Sequence, residues 1–109
     1  MSKTILEELY QTIQDRKTAD PAASYTASLL NGGTAKIAQK VGEESIEAII
    51  EALSNNPEKL REESADLLFH LMVLWADQGV TPEEVFATLQ QRTKTSGHTE
   101  KASRIKEKE

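Results

Sequence analysis

The stretch TAKIAQKVGEESIEAIIEALS, residues 34–54, decides the fold. It holds no proline and one internal glycine, and Ile37, Val41, Ile46, Ile49, Ile50 and Leu53 recur three or four residues apart. That period predicts a helix with a broad apolar face. Along the same helix Lys36, Lys40, Glu44, Glu47 and Glu51 follow at steps of four, four, three and four, so they form one charged line with Glu43 at its edge.

Downstream, Asn56-Pro57 pairs a good N-cap with proline at the first helical position, and an almost unbroken apolar run extends from Leu67 to Ala76 before Gly79 stops it. This predicts the central, most buried helix, and it too carries a polar stripe: Glu63, Asp66 and His70, spaced three and four. Thr81-Pro82-Glu83-Glu84 repeats the start signal, Val85, Phe86 and Leu89 supply an apolar face, and the helix ends near Arg92. Upstream, Thr4 opens a capping-box pattern, and Ile5, Leu6, Leu9, Tyr10 and Ile13 predict a helix over roughly 4–17. Breakers stand at both ends of Asp20-Pro21 through Asn31-Gly32-Gly33, which reads as an ordered loop in which Tyr25, Leu29 and Leu30 dock on the core, a short helical turn being one way to do so. Residues 93–109 hold five basic and three acidic side chains with Ile105 as the only large apolar group, which predicts a mobile tail. No useful strand-like alternation occurs, so the expected class is all-α with four helices, antiparallel where the loops are short.

A chain of 109 residues buries one core, and residues 1–109 read as a single domain. Aromatic residues make up 5% of it, leaving Leu, Ile, Val and Ala to build that core, which suits packed helices. A net charge of -5 disfavours a nucleic-acid partner, whose phosphates need Lys and Arg. The absence of cysteine excludes disulfides and thiolate chemistry and suits a reduced cytosol. With no apolar leader and no stretch near the ~18 residues of a membrane span, the expectation is a soluble, untargeted, cytoplasmic protein.

The acidic stripes call for an explanation. Like charges at these spacings each destabilise a helix by roughly 0.2–0.5 kcal/mol, and more once water is removed. Pairing with Lys or Arg is one remedy, but Lys36, Lys40, Lys59 and Arg61 lie toward helix ends and leave the middle of the stripe unpaired. Divalent cations are the other. Hard oxygen ligands without His or Cys companions favour Mg²⁺ or Mn²⁺ over zinc, and Mg²⁺ commonly shares itself with substrate phosphates. Taken alone, Glu43, Glu44, Glu47 and Glu51 suit a solvated face; Glu63 and Asp66, in register with them and leading into an apolar run, point to a metal site. His70 fits a supporting, hydrogen-bonded role better than that of a ligand.

The pair Glu44-x-x-Glu47 and Glu63-x-x-Asp66 resembles the ExxE and ExxD motifs of the all-α nucleoside triphosphate pyrophosphohydrolase superfamily, which includes MazG-like enzymes and dimeric dUTPases. The segment from Asp20 to Leu30 resembles the signature loop of the phosphoribosyl-ATP pyrophosphatases; Lys36 to Glu44 is similar to that family's entry into its metal helix, and Ser96 to Arg104 to its tail. The resemblance implies a four-helix antiparallel bundle, dimeric, whose second subunit completes a possibly shared pocket. It implies hydrolysis of the nucleotide phosphoribosyl-ATP to phosphoribosyl-AMP and pyrophosphate, the second step of histidine biosynthesis. Glu44, Glu47, Glu63 and Asp66 would hold Mg²⁺, with Mn²⁺ an alternative.

Glu43, Glu44 and Glu47 are the catalytic candidates; Glu43 is a general base, a second-metal ligand or an exposed neighbour. Lys36 and Lys40 meet phosphates or pair with acids along their own helix. Ser24, Tyr25 and Thr26 offer hydroxyls, although Tyr25 serves equally as a core anchor, and Lys101 and Arg104 offer mobile positive charge. A MazG-like enzyme acting on other triphosphates is the alternative within the superfamily, and a non-catalytic helical dimerisation module the alternative outside it.

Overall fold

The computed structural model describes residues 4–94. The first helix, α1 (Ile5–Asp15), starts where Thr4 Oγ1 accepts the Glu7 N–H at 3.1 Å, and a 3-10 turn (Arg16–Thr18) follows it. The expected loop between residues 20 and 33 contains a helix, α2 (Tyr25–Gly32), so five α-helices are described where four were expected. Two local devices account for it. The Asp20 carboxylate accepts the Ala22 N–H at 3.0 Å and turns the chain, and Ser24 Oγ then accepts the Ala27 N–H at 3.1 Å as an N-cap. Of the two terminal glycines, only Gly33 leaves the helical conformation; its φ of 92° suits glycine and makes a one-residue break before α3 (Thr34–Leu53).

Asn56 caps α4 (Pro57–Gln78) through the Lys59 N–H, and Gly79, left-handed at φ 73°, terminates it. The capping box of Thr81 and Glu84 opens α5 (Pro82–Thr93). Helices α3 and α4 form an antiparallel hairpin. At one end Thr34 Oγ1 donates to Asp77 Oδ2 at 2.6 Å; farther along, Glu44 meets Glu63 and Asp66.

The core gathers Ile13, Leu29, Ile37, Met72, Val73 and Ala76, with Phe69, Leu74 and Trp75 packed around it. Helix α4 supplies three of the six, as its apolar run requires. The apolar face of α3 behaves differently from a core face. Ile37 is fully buried, but Ile46, Ile49, Ile50 and Leu53, one stripe at helical spacing, are each more than half exposed. Helix α5 leans on α1 and does not cover that stripe. Among the described residues no strand occurs, and no helix is long and apolar enough to cross a membrane.

A carboxylate cluster between two helices

The antiparallel register sets the second half of α3 against the first half of α4 and brings three acids together. Carboxylate oxygens of Glu44, Glu63 and Asp66 lie within 4.8 Å of one another. Glu47, one turn beyond Glu44, is close enough to hydrogen-bond both Glu44 and Glu63 whenever a proton is present to share. With the carboxylates ionised no donor exists. Glu44 Oε2 and Glu63 Oε2 are then shut away from solvent with no hydrogen-bond partner.

Two orphaned oxygens in one small cluster are expensive, and the proton affinities record it. Hydrogen bonding with Glu47, followed by burial and by the charges of Glu47 and Glu44, pushes the Glu63 carboxyl up to about 7. Burial first, then hydrogen bonding and repulsion from Glu47, raises Glu44 as well. Either a proton or a cation satisfies such a group. The donor set is oxygen only, which fits a hard divalent ion such as Mg²⁺ or Mn²⁺.

Glu43 stands apart from this arrangement. Its carboxylate accepts from Gln39 Nε2 at 3.0 Å and pairs with Lys40 Nζ at 3.5 Å, and these two contacts hold its pKa below the ordinary value. Lys40 is correspondingly raised, by Glu43 first. The stripe's lysine thus meets the acid three residues on, and Glu44 is left to the cluster. The aliphatic stem of Lys36 crosses Gly32, where an added Cβ would lie 2.7 Å from Lys36 Cδ.

In α2, Ser24 is engaged as the N-cap, Thr26 is half-buried, and Tyr25 is half-exposed with its hydroxyl 2.8 Å from His70 Nε2. His70 is buried, and its Nδ1 lies 2.8 Å from the backbone carbonyl of Asp66. The Tyr25–His70 contact, between residues 45 apart, has no local sequence signal. Lys101 and Arg104 lie outside the described residues. A separate cleft of about 440 Å³, lined in part by Lys17, Asn31 and Asp77, sits roughly three helical turns along α4 from Asp66 and is not part of the cluster.

A stability test follows from the raised carboxyls. Between pH 4.5 and about 7 the folded chain keeps a proton on Glu63 that the unfolded chain has released, so unfolding gains with each step up in pH. The melting temperature of the metal-free chain is therefore expected to fall as pH rises through that window and then to level. Glu43 and Asp77, both lowered, act in the opposite sense but below their ordinary values of 4.5 and 3.8. Added Mg²⁺ should reverse the trend, with the larger gain at higher pH, where no proton competes. Scanning calorimetry in chelator and in Mg²⁺ from pH 5 to 8 checks it; a flat metal-free profile would contradict the cluster.

Comparison of the sequence with known proteins finds relatives along nearly the whole chain. Residues 6–93 match the family model described as phosphoribosyl-ATP pyrophosphohydrolase. The chain is 56% identical over 104 residues to a phosphoribosyl-ATP pyrophosphatase of Azospirillum brasilense, covering 95% of this chain and 94% of that one. It is 57% identical over 102 residues to the enzyme of that name from Paramagnetospirillum magneticum, covering 94% of each. To the protein of the same name from Saccharolobus solfataricus this chain is 48% identical over 94 residues, 86% of this chain and 100% of the other.

Proposed function

The chain belongs to the phosphoribosyl-ATP pyrophosphohydrolase family, and from that premise we propose how its carboxylates do the family's work. The reaction is hydrolysis of phosphoribosyl-ATP to phosphoribosyl-AMP and pyrophosphate, a step of histidine biosynthesis. Glu44, Glu47, Glu63 and Asp66 are the residues that would hold Mg²⁺. One observation carries this assignment: the oxygens of Glu44 and Glu63 that are buried without a partner belong to the same group of acids as Asp66. A bound Mg²⁺ supplies the charge that neutralises phosphate oxygens and makes a nearby water more acidic.

The remaining work falls to the chain. The acids fix where the triphosphate lies relative to the helix hairpin, so that the attacked phosphorus is presented in one orientation. Glu44 and Glu47 are the residues nearest the reaction in this reading. Glu43, already held by Gln39 and Lys40, keeps Lys40 beside the cluster, where its ammonium, with that of Lys36, meets phosphate oxygens. Ser24 and Thr26 face the substrate from the start of α2, and Lys101 and Arg104 add positive charge from the tail.

Residues 1–109 act as one domain, in a cytoplasm whose reducing conditions suit a cysteine-free chain. The working unit is a homodimer in which a second copy covers the exposed stripe of α3 and adds to the pocket. Support for it comes from that stripe, since four large aliphatic residues in one exposed row favour burial against a partner.

Release of pyrophosphate in Mg²⁺ from phosphoribosyl-ATP, from ATP and from dUTP tests the reading. The first substrate is expected to dominate. Glu47→Gln should lose turnover while its helical circular dichroism spectrum stays intact; undiminished turnover would remove Glu47 from the ligand set.

A further inference from the structure

We infer that Tyr25 and His70 form a positioning pair, in which the Tyr25 hydroxyl docks the start of α2 onto the carboxylate-bearing face of α4. A carbonyl oxygen can only accept, so the 2.8 Å contact between His70 Nδ1 and the Asp66 carbonyl puts the imidazole's proton on Nδ1. In the neutral ring Nε2 is then a bare acceptor. The Tyr25 hydroxyl, 2.8 Å away, fills it as the donor. The imidazole is fixed from the sides as well: Phe69 meets it edge-on at 5.1 Å and Tyr25 at 5.9 Å.

Burial alone does not hold Tyr25, which is 54% exposed. Its hydroxyl bond and its stack on Phe69, at 6.3 Å and 22°, are what fix it. Helix α2 has eight residues, and Ala27 and Leu29 bury its inner side, which leaves Tyr25 to hold its first residues against α4. Glu63, Asp66 and His70 share one face of α4 at steps of three and four, which places the Tyr25 anchor one turn from the acids. Releasing it lets the segment carrying Ser24 and Thr26 drift from the carboxylates without touching a carboxylate. This inference rests on the carboxylate reading proposed above.

Three measurements on the full chain test it. Tyr25→Phe keeps the ring and removes the hydroxyl, and kcat/KM for phosphoribosyl-ATP is expected to fall about tenfold, mainly through KM, the effect of losing one orienting hydrogen bond. Mn²⁺ binding without nucleotide should be unchanged. His70→Asn keeps a donor toward the Asp66 carbonyl but removes the acceptor, so it should match Tyr25→Phe, and the double variant should be no worse than either. Imidazole ¹⁵N shifts should show the His70 proton on Nδ1, a readout that stands even where His70→Asn fails to fold.

Wild-type kcat/KM in Tyr25→Phe, with or without a lower melting temperature, would overturn the pair, as would additive losses in the double variant or a proton on Nε2. Asp66→Asn separates the two levels. Lost Mn²⁺ binding there supports the carboxylate reading, and wild-type binding would remove it whatever Tyr25→Phe does.

Discussion

Glu63→Gln is expected to cut pyrophosphate release by about a thousandfold or more and, in the same protein, to raise the melting temperature of the metal-free chain. The two effects have one origin. Glutamine matches the shape of glutamate, so packing between α3 and α4 is kept, but a carboxylate oxygen is replaced by an amide donor. That donor enters a cluster where Glu44 Oε2 has no partner and where the acids repel one another. Stability therefore rises. The gain should be small at pH 5, where Glu63 already carries a proton, and grow toward pH 7 and above. For activity the sign reverses. A neutral amide oxygen is a poor substitute for a carboxylate beside Mg²⁺, and a metal's several kcal/mol of transition-state stabilisation, at about 1.4 kcal/mol per tenfold, corresponds to about a thousandfold. Pyrophosphate assays and calorimetry in chelator, on one preparation, check both halves. A variant that is less stable yet fully active would make Glu63 an ordinary surface acid.

The same repulsion explains why part of the candidate site was legible in the sequence. Acids at helical spacing beside an apolar run contradict what a stable core wants, and the contradiction is visible at Glu63 and Asp66 without coordinates. Helix starts were equally readable at Asn56-Pro57 and Thr81-Pro82-Glu83-Glu84, because capping is a local matter. Helix α2 was not. Asp20-Pro21 and Gly32-Gly33 read as loop, and the cap at Ser24 is a single serine whose meaning depends on the turn before it.

Partner choice was also beyond a one-dimensional reading. Lys40 sits four residues before Glu44 and three before Glu43, and spacing permits both pairs; Gln39 holds Glu43 where Lys40 can reach it. The Tyr25–His70 bond depends on tertiary placement alone. On α3, periodicity identified an apolar face but not what covers it, and four of its six residues turned out to be exposed.

Those exposed residues lead to the second large effect. In the homodimer proposed above, Ile49→Glu is expected to raise the dissociation constant by at least about a hundredfold and to remove activity at low protein concentration. Ile49 lies in the middle of the stripe, between Ile46 and Leu53 and beside Ile50, so a partner that covers the stripe covers it too. In a two-fold interface every substitution appears twice across the same axis. Two new carboxylates would be brought together within an apolar face, and like charges juxtaposed at an interface cost several kcal/mol. At about 1.4 kcal/mol per tenfold, that is a hundredfold or more. Within one chain the substituted side chain lies in solvent, so the helical circular dichroism spectrum should be kept. Sedimentation equilibrium reads the dissociation constant directly. Specific activity measured against protein concentration then addresses the shared pocket: activity that recovers as the protein is concentrated, in step with the dimer fraction, shows that each site needs its neighbour. Full activity in the monomer would confine the pocket to one chain, and an unchanged dissociation constant would move the interface off α3 altogether.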